Sequence, residues 1–210
     1  LHVRHIENLA NMAKQGLFQY RGRGNLGDAP FYSGECAMAT ASSSTYASIK
    51  KNAKFEFGIA PLPYYPDVPG APQNTVIGGA SLWVMNGKKP DEYKGIARFF
   101  NFLSSPEIQA QWHQETGYLP ITMAAYELTK KSGFYDKNPG TNVSVEQMIV
   151  KTTKNSRGVR LGNFVQVRDA IQEELEGALA GKKTAKEAVE AGQKRGNEII
   201  ERFNKAQAKG

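Results

Sequence analysis

The chain has 210 residues, of which 40% are hydrophobic and 22% charged, and a formal net charge of +7. That balance fits a folded globular protein with ample material for a core and excludes a disordered chain. No apolar run approaches the roughly 20 residues that a helix needs to cross a bilayer, and Cys36, the single cysteine, excludes an intramolecular disulfide and a cysteine-rich metal site. The positive charge is compatible with nucleic acid, anionic lipid or a small anion, and does not choose among them.

The opening residues LHVRHIENLANMAKQG are interrupted by charge too often for a signal peptide. They start without Met inside a helical pattern, so the chain is expected to be a piece of a longer one. Val3, Ile6, Leu9, Ala10 and Ala13 recur at helical spacing, with Gly16 as the C-cap. A loop is expected from there to about Pro30. In GECAMATASSS, residues 34–44, alternation predicts a half-buried strand running into a helix over Tyr46–Asn52. Ser42, Ser43 and Ser44 then offer hydroxyls where that helix leaves its first N–H groups unpaired. Such a start taken alone is an ordinary N-cap more often than an anion site, although free N–H donors and the helix dipole both favour negative charge.

A second strand is expected at Lys54–Ile59, where Phe55, Phe57 and Ile59 alternate with polar residues or glycine. Pro61–Pro72 holds five of the ten prolines and reads as an extended crossover. Thr75–Asn86 reads as a strand broken at Gly78-Gly79. Pro90–Ser104 predicts an amphipathic helix with Tyr93, Ile96, Phe99, Phe100 and Leu103 on one face. Ser105-Pro106 opens the next helix and Gly117 ends it. Ser144 and Gln147 form a capping-box pattern for a helix over Val145–Thr152. Phe164, Val167, Ile171, Leu175 and Ala178 stripe a helix ended by Gly181, and Thr184 with Glu187 cap the last one. The expected class is α/β.

Several short motifs fail on context. Gly22-Arg-Gly24-Asn-Leu-Gly27 matches a dinucleotide fingerprint by letter, but a helix precedes it and Asp28-Ala-Pro30 follows. Gly79-Ala-Ser81-Leu-Trp83 lacks the closing glycine of a nucleophile elbow, and no Asp–His pair accompanies Ser81. His2 and His5 have no third metal ligand in view. Lys182, Lys183, Lys186, Lys194 and Arg195 interleave with Glu187, Glu190, Glu198 and Glu201, which is a solvated face and not a nucleic-acid stripe. Three donor-presenting features remain: the serine-rich helix start, Gly78-Gly79, and Arg168 in the first turns of a helix. Arg168 is a candidate phosphate clamp, and taken alone it is more often an exposed arginine. Gly78-Gly79 alone is most often a bulge.

Five blocks in this order, GECAMATASSS, APQNTVIGGASLWVM, EIQAQWHQETGYLPIT, GFYDKNPG and RLGNFVQVR, resemble the sn-glycerol-3-phosphate-binding receptors of bacterial ABC importers. These belong to the maltose-binding-protein-like class of solute-binding proteins, and the similarity runs from about residue 30 to the C-terminus. The resemblance implies a type II periplasmic-binding-protein fold, two α/β lobes around a cleft joined by crossovers. Residues 1–61 and 126–210 would belong to the C-terminal lobe, and 62–125 to the crossover and the N-terminal lobe.

It also implies a periplasmic receptor for glycerol-3-phosphate or glycerophosphodiesters such as glycerophosphocholine. The ligand would be held by Ser42, Gly79, Tyr118 and Arg168, without cofactor, metal or catalytic residue. The implied partner is the membrane permease of the importer; nucleic acid is not one. The family's receptors are longer, and their N-terminal half carries further contacts, so this chain would be their C-terminal part. Its 75–125 segment is then expected to expose apolar surface and favour association with a partner fragment or another copy. The alternative is a phosphodiester-hydrolysing enzyme using the same anion site, which needs a metal cluster or a nucleophile–base pair.

Overall fold

The structure is a computed structural model and describes residues 1–208. Its helices are, in chain order, α1 (His2–Lys14), α2 (Asp28–Tyr32), α3 (Tyr46–Asn52), α4 (Pro90–Leu103), α5 (Pro106–Thr116), α6 (Met123–Lys131), α7 (Phe134–Lys137), α8 (Val143–Ile149), α9 (Phe164–Leu179) and α10 (Ala185–Gln207). A 3₁₀ turn, Ser43–Thr45, leads into α3. Two compact units form. One joins Leu1–Gly22 to the residues from Val159 onward, and the other is Arg23–Gly158.

In the first unit α9 and α10 pair and α1 lies on both. The core uses small side chains: Ala178, Ala185 and Ala188 are buried with Ile6, flanked by Val3, Leu9, Leu175 and Val189. Small residues let the helix backbones approach. A Cβ added at Gly192 would stand 3.5 Å from Ile171 Cα, and one at Gly196 would stand 3.4 Å from Val167 Cγ1. Polar groups tie the same pair together. Arg195 donates to Glu174 at 2.8 Å and to Glu173 at 2.6 Å, and Lys183 also donates to Glu174. The bonds from Lys183 and then Arg195 hold the Glu174 carboxyl below the usual carboxylate range. Thr184 and Glu187 cap α10 reciprocally as expected, with Glu187 N–H donating to Thr184 Oγ1 at 3.2 Å and Thr184 N–H to Glu187 Oε2 at 2.7 Å.

In the second unit α5 packs against α3, α4 and α6, and α2 against α3. Phe31 of α2 meets Phe55 and Phe57 edge-on, with centroids 5.6 and 6.4 Å apart, and Phe57 meets Tyr46 of α3 at 6.3 Å. The apolar residues of Lys54–Ile59 thus find an aromatic partner without entering a sheet.

The expected α/β pairing is not what the described residues form: none of them is in a β-strand. Residues 34–40, 54–59 and 75–86 are irregular. A strand exists only through ladder bonds to a second strand, and alternation in sequence supplies a face but no partner. Thr75 makes its backbone bond to Gln147 C=O, 3.1 Å away, instead of to a strand. Val76, Ile77, Leu82, Trp83 and Met85 are exposed, Trp83 at 86%. The helix over 90–103 forms where expected, yet none of its residues is buried, and Phe99 and Phe102 are exposed.

Two further expectations change. The helix over 143–149 begins and ends earlier than predicted, with Asn142 at its N-cap position. Asn142 Nδ2 donates to Glu146 Oε1 at 2.7 Å, while Gln147 Oε1 accepts from Leu62 N–H at 2.9 Å and so serves a loop instead of a capping box. Helices α2, α6 and α7 had no counterpart in the sequence reading. They are short, and each is fixed by its neighbours more than by periodicity.

The two kinds of close contact on α10 predict opposite signs. Ala188 is fully buried, so Ala188→Leu should lower stability by about 1–3 kcal/mol through overpacking. Gly192→Ala meets only ordinary contacts and should raise it by about 0.5–1 kcal/mol, because Ala loses less backbone entropy in a helix. Urea midpoints followed by circular dichroism, at unchanged slope, check both.

Candidate functional site

The Arg23–Gly158 unit contains a cavity of about 190 Å³ lined by Ser42, Ser43, Tyr46, Phe57, His113 and Gly117 among others. It is smaller than the roughly 300–1,000 Å³ of a drug-sized pocket and suits a small molecule or one end of a larger one. One wall is the turn into α3. Ser42 is extended, with φ −70° and ψ 148°, the backbone of an N-cap. Its Oγ accepts from Ser44 N–H at 3.4 Å and lies 3.0 Å from Ser44 Oγ, and its carbonyl accepts from Thr45 Oγ1 at 2.7 Å. The N-cap is therefore formed. Ser42 is exposed, and its hydroxyl keeps either its proton or one lone pair for another contact, according to which serine donates in the Ser42–Ser44 bond. The helix behind it has seven residues, so its dipole is short.

The opposite wall is the end of α5, and one glycine brings the two together. Gly117 has φ +77°, the left-handed C-cap expected from sequence, and its N–H donates to His113 C=O at 2.9 Å. A Cβ there would stand 2.5 Å from Ser43 O and 3.1 Å from Tyr46 Cβ. No other residue type fits on either count. Tyr118 follows immediately. It is 46% exposed and lies outside the cavity lining.

His113 is 2% exposed. Its Nδ1 lies 2.6 Å from Tyr118 C=O and its Nε2 lies 2.9 Å from Tyr135 Oη. A carbonyl only accepts, so Nδ1 carries the proton and Nε2 accepts from the phenol. Burial pushes the His113 pKa down, against a smaller opposing effect of the Tyr118 bond. Burial, then the nearby Tyr126, Glu146 and Glu127, push Tyr135 up. Both groups are thereby kept neutral, imidazole and phenol, in a half-buried aromatic cluster with Phe134 and Tyr126.

Of the four residues taken from the resemblance, Ser42 lines the cavity and Tyr118 stands beside it through Gly117. Gly79 has φ +122°, which favours glycine, and the space where its Cβ would stand is open. Arg168 belongs to the other unit, on the exposed side of α9. Among the described residues no carboxylate pairs with it. Sequence reading passed over His113 and Tyr135, and took Gly117 only as a helix stop. A histidine one turn before a C-cap glycine was the available signal, and it does not reveal the carbonyl that its ring meets. Among the described residues no three side chains of His, Cys, Asp or Glu are placed to hold a metal ion, and no helix is long and apolar enough to cross a membrane.

The cavity lies between helix ends and is lined by hydroxyls and aromatic rings, the kind of concave, largely apolar surface with a few polar groups that small ligands occupy. Residues 2–142 match the bacterial extracellular solute-binding proteins, and the chain belongs to that family. Over 97% of its length it is 53% identical to the sn-glycerol-3-phosphate-binding periplasmic protein UgpB of Yersinia enterocolitica, and 51% identical to the protein of the same name from Salmonella typhimurium. The chain spans 46% and 47% of those two proteins, about half their length. Its fold is similar to that of a UgpB from Mycobacterium tuberculosis solved in complex with glycerophosphocholine, with a TM-score of 0.74 at 23% identity. That match covers 95% of this chain and 49% of the other. The relatives are named as binding proteins, and none of these matches favours the hydrolytic alternative.

Two outcomes follow from the cavity walls. Gly117→Ala should cost about 2 kcal/mol or more, from the left-handed backbone and the contact with Ser43 O, read as a lower urea midpoint. Because the native pKa of His113 is depressed, the unfolded chain takes up its proton first as pH falls. This contribution is complete above the unfolded value near 6.5 and is lost as pH drops from there through the native value. His113→Asn should flatten the fall in unfolding free energy between about pH 6.5 and 5.

Proposed function

We propose that this chain is part of an extracytoplasmic, periplasmic receptor that binds sn-glycerol-3-phosphate or glycerophosphodiesters for an ABC importer and carries out no chemistry. The observation that carries this reading is the 51–53% identity, over 97% of the chain, to proteins named for sn-glycerol-3-phosphate binding. In this reading residues 1–61 and 126–210 serve one lobe and 62–125 the crossover and the other lobe. Closure of the lobes would desolvate the ligand and create the form that a membrane permease recognises.

The residue types suit a phosphorylated glycerol. Arg168 supplies a planar, permanently charged fork for phosphate oxygens. Ser42 offers a hydroxyl at an already ordered turn, so little side-chain freedom is lost on binding. Gly79, with no side chain, leaves its backbone open to close approach. Tyr118, a half-exposed residue, carries a phenol able to donate or accept at a glycerol hydroxyl or ester oxygen.

Calorimetry with sn-glycerol-3-phosphate and with glycerophosphocholine, on the protein at its full natural length, tests this. Arg168→Ala should weaken binding by about tenfold to a hundredfold, as loss of a charge-assisted bond does. Ser42→Ala should weaken it by about threefold to tenfold. Absence of binding by the wild-type protein would sink the reading; unchanged affinity in Arg168→Ala would remove that residue from the site.

A further inference from the structure

The last turn of α5 holds both backbone polar groups of Tyr118 with side chains. Thr116 Oγ1 accepts from Tyr118 N–H at 3.2 Å, and is itself tied to Trp112 C=O at 2.6 Å. His113 Nδ1–H donates to Tyr118 C=O at 2.6 Å. Gly117 N–H donates to His113 C=O, which closes the corner from within. After a left-handed glycine the next N–H often bonds back to a helix carbonyl, whereas the Tyr118 N–H and C=O are both held by side chains. Here they are fixed while Tyr118 as a whole remains 46% exposed.

The imidazole that does half of this is itself locked. Tyr135 Oη–H donates to Nε2 at 2.9 Å, so the tautomer that serves Tyr118 is set from the far side of the ring. Phe134 and Tyr135 pack against the ring at 6.2 and 5.8 Å between centroids and fix its plane. The corner also bears on the serine turn, since Gly117 sits against Ser43 O. A chain of fixed contacts thus runs Tyr135, His113, Tyr118, with the Ser42–Thr45 turn alongside.

We infer that His113, oriented by Tyr135, is a positioning residue of the binding site: it presents the Tyr118 ring to a phosphorylated glycerol by holding the Tyr118 carbonyl. The inference rests on the binding reading above. It assigns His113 no contact with ligand and no proton transfer. Its effect is to spare the ligand the cost of ordering Tyr118.

Two isosteres separate this role from ordinary core packing. Asn places an amide N–H where His carries Nδ1, keeping the bond to Tyr118 and losing that to Tyr135. Gln reaches the position of Nε2, keeping the contact with Tyr135 and losing that to Tyr118. Each substitution deletes one hydrogen bond. Calorimetry with glycerophosphocholine on the protein at full natural length should show His113→Asn within about threefold of wild type and His113→Gln about tenfold weaker.

In a Tyr118→Ala background, His113→Gln should have no further effect on affinity. Equal affinities of the Asn and Gln variants, or an undiminished effect of Gln without Tyr118, would overturn the inference while leaving the binding reading intact. A wild-type protein that binds neither glycerophosphocholine nor sn-glycerol-3-phosphate would overturn the reading itself. Should both variants fail to fold, imidazole ¹⁵N spectra of the wild-type protein decide. A protonated Nδ1 with a bare Nε2 supports the assignment, and the reverse tautomer refutes it.

Discussion

The approach of Gly117 to the carbonyl of Ser43 is the contact on which the candidate site depends. Without a side chain, and with φ +77°, the chain leaves α5 in a left-handed turn and passes close against the turn that opens α3. Several features require that approach. It closes part of the cavity lining, brings the end of α5 against the Ser42–Thr45 turn, and places Tyr118 C=O within reach of the His113 ring. A methyl group at residue 117 would push the two turns apart, and no adjustment of a flexible side chain could absorb the change, because the obstacle is backbone. The loop before α8 uses the same device: Gly140 has φ +86°, and a Cβ there would stand 2.9 Å from Ile59 Cβ.

Around this contact the polar groups are arranged to avoid buried charge. Burial holds His113 toward its neutral form and Tyr135 toward the phenol, so the pair exchanges one hydrogen bond without an ion in a half-buried aromatic cluster. A carboxylate in place of Tyr135 would pull the imidazole toward the cation and make it a plausible acid or base. Its absence from this pair agrees with a ring used to set geometry. The charged residues of the first unit follow another logic. Glu174, Lys183 and Arg195 bridge helices at the edge of a core built from alanines, where polar ends reach solvent and stems cover apolar surface.

Much of the helical framework was legible in the sequence. Gly16, Gly117 and Gly181 marked helix ends, Pro90 and Pro106 marked helix starts, and Thr184 with Glu187 marked a capping box that the structure reproduces in both of its bonds. These signals are local, since each is completed within four residues of itself. The alternating segments behaved differently. Phe55 and Phe57 do share a face, yet they meet Phe31 and Tyr46 on helices, and Val76, Ile77 and Trp83 meet solvent. Period-2 alternation specifies which side chains point together and leaves open what they point at.

By itself the sequence determined the helices α1, α3, α4, α5, α9 and α10, the absence of a disulfide, and, through five blocks of resemblance, the family to which the chain belongs and the residue types at positions 42, 79, 118 and 168. Only the tertiary structure decided that Gly117 rests against the carbonyl of Ser43, that His113 is buried with both ring nitrogens engaged, and that Gln147 serves a loop and a backbone N–H instead of a helix cap. The reason is range. Caps, stops and periodicity are settled by neighbours along the chain, whereas the meeting of residue 43 with 117, or of 113 with 135, depends on where separate helices come to rest.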